Sequence, residues 1–143
     1  MPGIVVGYDG SDNSEDALSW AMHRAVTEHL PLTVLTVNEV ALNPYTGQPS
    51  IIPEDSVMLE KARQAAEDVV TKVSHKLNSL PEVTVNAVTG LAGEELIAAS
   101  EHADMLVIGC RGQRDFPALR VSEVAMKVAH YSSCPTVIVP PAR

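Results

Sequence analysis

The sequence predicts an α/β protein: one domain built on an open parallel sheet of five strands, with helices on both faces. Three observations lead there. Short aliphatic and β-branched runs alternate with helical patterns from one end of the chain to the other. Most of those runs are continuously apolar, as strands covered on both sides are. The chain has 143 residues, 45% of them apolar and 20% charged. That is one domain with a core of its own, burying roughly 68% of its unfolded surface.

The first strand is Ile4-Val5-Val6-Gly7, and a helix follows over residues 12–29. Ala17, Leu18, Ala21, Met22 and Ala25 recur at helical spacing in it, with Ser11 or Asp12 as the cap and Glu15 three residues after Asp12 for a capping box. Leu32 to Val37 is the second strand. Asn38 to Asp55, with Pro44, Gly47, Pro49 and Pro53, reads as a long loop, and loops of that length usually serve function or motion. A second helix spans about 56–79, with Leu59, Ala62, Ala66, Val69, Val70, Val73 and Leu77 on one stripe. Val83 to Val88 alternates and is the third strand. Gly93 to Ala103 is a shorter helix, Met105 to Gly109 the fourth strand, residues 110–120 a loop, 122–132 a fourth helix, and Thr136 to Val139 the fifth strand.

Right-handed crossovers leave few ways to arrange five such strands. The backbone-permissive signals fall after strands one and four, at Gly7 to Gly10 and Gly109 to Gly112. Open sheets bind ligands beyond the carboxyl ends of their strands, where strand order reverses. Placing strands one and four side by side gives the order 3-2-1-4-5, with the crevice between them.

Several functions are excluded at this stage. Ten Lys plus Arg against eighteen Asp plus Glu leave a net charge of −8, which argues against a nucleic-acid or anionic-membrane surface as the main partner. No apolar run approaches the length of a membrane span, and Met1-Pro2-Gly3 is no basic leader, so a cytoplasmic location is expected. Cys110 and Cys134 form neither a disulfide framework nor a zinc-site spacing. There is no GxxxxGK[ST], and Gly7-Tyr8-Asp9-Gly10-Ser11 is not GxGxxG. Asp9-x-Ser11-x-Asn13 faintly resembles a calcium loop, but Ser14 and Trp20 occupy its sixth and twelfth positions. His23, His29, His75, His102 and His130 are scattered and read as surface or helix-packing residues, and no Ser, His and Asp set falls on a nucleophile elbow.

One segment is unusual in its charge. Arg111, Arg114 and Arg120 follow a strand, between two glycines and the start of a helix. Glycines let backbone N–H groups approach an anion, and a helix N-terminus adds partial positive charge. The segment reads either as a phosphate site or as a turn with solvated arginines.

Over essentially its whole length the sequence resembles the universal stress protein family. The resemblance rests on the opening IVVGYDGSDNSEDALSWA, on Val37-Asn38-Glu39 ending strand two, and on VIGCRGQ…VAMKVAHYSSCPTVIVP at the end. It implies a Rossmann-like fold of the adenine nucleotide alpha hydrolase-like kind, usually a homodimer. For one branch it also implies binding of ATP or AMP, with or without Mg²⁺, and no obligatory turnover. That branch carries G-x2-G-x9-G-[S/T]. Gly109 and Gly112 match its first two glycines, while Ser122 stands where the third belongs and Glu123 replaces the Ser or Thr. Asp9 matches the acidic residue facing the nucleoside and phosphates, Val37 the residue whose backbone meets adenine, and Val124 the residue just after the phosphate motif.

The departures fall at the phosphate end. Ser122 adds a Cβ but still suits a helix cap. Glu123 would satisfy the helix dipole itself and repel a phosphate, by about 4 kcal/mol per unit charge at about 4 Å and an effective ε of ~20. Three readings follow. The first is a small adenine-nucleotide-binding stress protein, with Asp9, Val37, Gly109, Arg111, Gly112, Ser122, Glu123 and Val124 at the site. The second is a dimeric interaction module of the same family that has lost its phosphate grip. The third, a slow ATPase, has no dedicated base or Walker lysine behind it, so no enzyme is expected. The last strand would be an edge framed by Pro135 and Pro140, and the expected homodimer forms across it. Cys110, beside three arginines, is a candidate thiolate but reads first as a plain free thiol.

Overall fold

The computed structural model describes residues 3–39, 41–42, 45–50, 55–111 and 121–142. In chain order these form β1 (Ile4–Gly7), α1 (Asp12–Glu28), β2 (Leu32–Glu39), β3 (Ala41–Leu42), β4 (Pro49–Ser50), α2 (Asp55–Ser74), β5 (Val83–Gly90), α3 (Ala92–Ser100), β6 (Met105–Gly109), α4 (Glu123–Tyr131) and β7 (Thr136–Val139). The main sheet has the order β5-β2-β1-β6-β7 and every pair in it is parallel, which is the expected 3-2-1-4-5. Helices α1 and α2 cover one face, α3 and α4 the other.

The centre of the sheet is the core. Val6, Val34 and Val107 are fully buried beneath Ala17, Leu18, Ala21 and Met22 of α1, which form the inward stripe the periodicity predicts. Each of the Val, Leu and Met side chains among them contributes about 1.5–3 kcal/mol by leaving water. On the opposite face Val5, Leu35, Leu106 and Ile108 pack against Leu96 of α3 and Ala125 and Val128 of α4.

Strand lengths shape the edge where ligands would bind. Gly7, the last residue of β1, pairs with Leu35, whereas β2 runs on through residues 36–39 with β5 beside it as far as Glu39↔Gly90. The β2–β5 pair therefore overhangs the shorter β1 and β6 and stands as a wall along the crevice. Pattern reading ended these strands at Val37 and Val88, because Asn38 and Thr89-Gly90 are polar or permissive. Backbone pairing carries them further.

Other boundaries also moved. Ser11, not Asp12, is the cap of α1: its backbone is extended and its Oγ accepts from Ser14 N at 3.1 Å. Ser14 Oγ donates back to Ser11 O at 2.8 Å, which displaces Glu15 from the expected box. Helix α2 ends at Ser74 rather than 79, passing into tight turns closed by Lys76 N→Val73 O and Leu77 N→Ser74 O. Helix α3 ends at Ser100 in the same way, with three successive i→i−3 bonds over residues 101–103. The expected loop after β2 contains a short antiparallel pair, β3 with β4. The proline and glycine content that suggested loop hid it.

Candidate functional site

Beyond the carboxyl ends of β1 and β6 lies a cavity of about 570 Å³, within the usual range for a small-molecule site. Its walls come from five elements. The overhanging end of β2 gives Thr36, Val37, Asn38 and Glu39; α2 gives Met58, Lys61, Ala62 and Ala65; α3 gives Ala92 and Leu96. The β1–α1 turn supplies Tyr8, Asp9 and Gly10, and the β6–α4 side supplies Gly109, Arg111, Ser122, Glu123 and Val124. Asp9, Val37, Gly109, Arg111, Ser122, Glu123 and Val124, all nominated from sequence, thus line one crevice. Gly112, Arg114 and Arg120 lie outside the described residues.

The β1–α1 turn is held from within. Asp9 N donates to Ser14 Oγ at 3.3 Å, and Ser11 N to Asp9 Oδ1 at 2.9 Å. Gly10 sits at φ 87°, a left-handed conformation that a side chain would strain. Tyr8, at the floor, is 8% exposed. Burial, with the negative charges of Glu15, Asp9 and Asp12, pushes its phenol above the ordinary 10.0, so it stays protonated and able to donate. Glu15 itself pairs with Lys72 of α2 at 2.7 Å, and that contact raises the Lys72 pKa.

Asn13 is the residue sequence reading missed. It is buried, its Nδ2 donates to Val139 O at 3.0 Å, and its Oδ1 accepts from Arg111 N at 2.9 Å. One amide thereby ties α1 to the end of β7 and to the turn that leaves β6. Gly109 is glycine for the same reason: a Cβ there would stand 2.9 Å from Asn13 Oδ1 and 3.0 Å from Asn13 O. The signal was present, because Asn13 shares the inward stripe with Ala17 and Ala21, where a polar side chain must find partners. Lys61 was missed as well, because α2 was read only for its apolar stripe.

On the other side Ser122 caps α4, with Oγ accepting from Ala125 N at 3.0 Å, as its position in the motif predicted. Its own N–H donates to Cys110 O, and Cys110 N donates to Val139 O. Cys110 is buried behind this turn. The first two N–H groups of α4, on Glu123 and Val124, have no intrahelical acceptor, and both residues border the cavity. Together with the helix dipole they favour a negative group there.

The arrangement suits a ligand with a flat apolar part against Val37, Ala62, Ala65 and Leu96 and a polar or anionic end near the start of α4. Among the described residues no three His, Cys, Asp or Glu side chains come together to hold a metal ion. Among them, too, no helix is long and apolar enough to cross a membrane.

The model of the universal stress protein family matches residues 2–140. The chain belongs to this family. A universal stress protein of Mycolicibacterium smegmatis is 30% identical over 141 residues, covering 96% of this chain and 47% of its own length. The chain thus spans about half the length of the first curated relatives it matches. Among solved structures, the universal stress protein UspA from Lactobacillus plantarum superposes with a TM-score of 0.78 at 20% identity, over 97% of both chains. A universal stress protein from Archaeoglobus fulgidus, solved in complex with dAMP, gives 0.66 at 19% identity over 97% of this chain and 98% of that one. Another, in complex with cAMP, gives 0.69 at 20% identity over 99% and 98%. These likenesses establish the universal stress protein fold for this chain.

Proposed function

We propose that this universal stress protein binds an adenine nucleotide, of the ATP or AMP class, in the crevice between β1 and β6 and signals occupancy to protein partners rather than turning the nucleotide over. The observation that carries the reading is the convergence of the motif-matched residues among those described on one cavity of fitting size, with Val37 on the apolar wall and Glu123 and Val124 at the anionic end. The folds solved with dAMP and cAMP support it by likeness. In this reading adenine lies against Val37, the ribose near Asp9, and phosphate at the start of α4. A Mg²⁺ ion would enter only with the phosphates it accompanies. The protein works in the cytoplasm as a two-fold dimer across β7, which is an edge strand of the sheet.

Isothermal titration with ATP and with AMP, each with and without Mg²⁺, tests the reading. Saturable one-site binding at sub-millimolar ligand is expected for at least one of them. No heat under any condition would favour the second reading, a dimeric interaction module without a ligand, for which the Ser122 and Glu123 departures speak.

A further inference from the structure

We infer that the Tyr8 hydroxyl is a ligand-binding group of the crevice, donating to a neutral acceptor on the nucleoside rather than to the phosphate. The inference rests on the nucleotide reading above and adds a residue to that site. Tyr8 borders the cavity just past the end of β1 and is 8% exposed. Its N–H donates to Leu35 O at 3.0 Å, which fixes the backbone from which the ring projects. The ring shares the core cluster under α1 and α2 with Leu18 and Ala66. Among the described residues the hydroxyl has no hydrogen-bond partner, whereas every side-chain oxygen or nitrogen sealed from the surface has one. The hydroxyl therefore keeps an open side, and the open space beside Tyr8 is the cavity. Ser14 and Ser122, on the same lining, spend their hydroxyls within the protein, on Ser11 O and Ala125 N.

The surroundings settle which part of a nucleotide this donor meets. Burial, and then the charges of Glu15, Asp9 and Asp12, keep the phenol protonated. What disfavours a phenolate there disfavours a phosphate in the same place. The sheet separates the two ends as well. Tyr8 belongs to the core on the α1–α2 side, while Val124 and Ala125 at the start of α4 belong to the α3–α4 side. A phosphate at the start of α4 leaves the nucleoside to face Tyr8. A ligand that fills the crevice takes water away from this hydroxyl, and one without an acceptor leaves it unsatisfied.

The test is a titration of adenosine and of AMP, up to millimolar ligand, into the natural protein and Tyr8→Phe at neutral pH. It is followed by chemical shift, with thermal melts of both proteins. Tyr8→Phe is expected to lose about three- to tenfold in affinity for adenosine and for AMP alike, as one neutral hydrogen bond would. Its melting temperature should hold, because the hydroxyl has no partner among the described residues to lose. In the natural protein the Cζ resonance of Tyr8 should move in step with saturation by either ligand. Unchanged affinity in Tyr8→Phe, a loss for AMP that adenosine does not share, or a Tyr8 Cζ unmoved by adenosine would each overturn the inference. All three would leave the nucleotide reading standing so long as AMP binds the natural protein. No binding of either ligand would overturn both.

Discussion

The starts of α1 and α4 border the same crevice and share a serine cap, yet they are put to different uses. At α1, Ser11 caps Ser14 N, and two positions after the cap Asn13 turns inward to hold Arg111 N and Val139 O. At α4, Ser122 caps Ala125 N and the next residue, Glu123, faces the cavity. The first end is spent on joining three elements, and the second is left open to whatever enters. Identical cap chemistry therefore says little about which helix start serves a ligand. What the neighbouring residue does with its side chain decides it.

The sharpest break in that contrast is Asn13→Leu. It strips the Arg111 N–H of its acceptor and leaves Val139 O with Cys110 N alone, and a loss of about 2–3 kcal/mol is expected in urea denaturation. Glu123→Gln, one position after the cap of α4, should leave stability within about 0.5 kcal/mol, as surface changes do. Equal losses would erase the distinction between the two ends.

Gly109→Ala comes next. Its Cβ would press on Asn13 Oδ1 and on Asn13 O, and a cost of about 1–3 kcal/mol is expected. Combined with Asn13→Ala the costs should add incompletely, since the side-chain clash disappears while the contact with the carbonyl stays. Strict additivity in the double-mutant cycle would mean that Gly109 is small for some reason other than Asn13.

The two caps sharpen the comparison. Ser11→Ala and Ser122→Ala should each cost about 1 kcal/mol of stability. Only Ser122→Ala should also weaken AMP binding in titration, since it loosens the turn that presents the Glu123 and Val124 amides. A smaller effect belongs to Tyr8→Phe. The folded state holds the Tyr8 proton more tightly than the unfolded chain does, so the benefit is complete below pH 10.0 and is lost as pH rises through the elevated folded value. Denaturation between about pH 9 and 11 should show the natural protein losing stability that Tyr8→Phe keeps.

The strand order was readable because Gly7 to Gly10 and Gly109 to Gly112, taken as two sides of one crevice, make their strands neighbours in a parallel sheet with right-handed crossovers. Ser122 as a cap was readable for a local reason: its position before a helical pattern fixes its role. For Asn13 only the need for partners was readable, because Arg111 and Val139 lie 98 and 126 residues away and only the folded chain brings them together. The overhang of β2 and β5 was hidden similarly. Asn38 and Gly90 have no strand preference of their own, and pairing with each other's strands holds them extended. Geometry gives Gly109 a further reason to be glycine, the closeness of Asn13, which composition alone does not show.

In the proposed binding mode a nucleotide enters the crevice with its phosphate at the open end of α4. Amide chemical-shift mapping with unlabelled AMP on the ¹⁵N-labelled protein tests it most directly. Saturable shifts are expected at Val37, Gly109, Glu123 and Val124, with Trp20 and Tyr131 unmoved. Shifts that avoid those residues, or a spectrum unchanged at millimolar AMP, would contradict it.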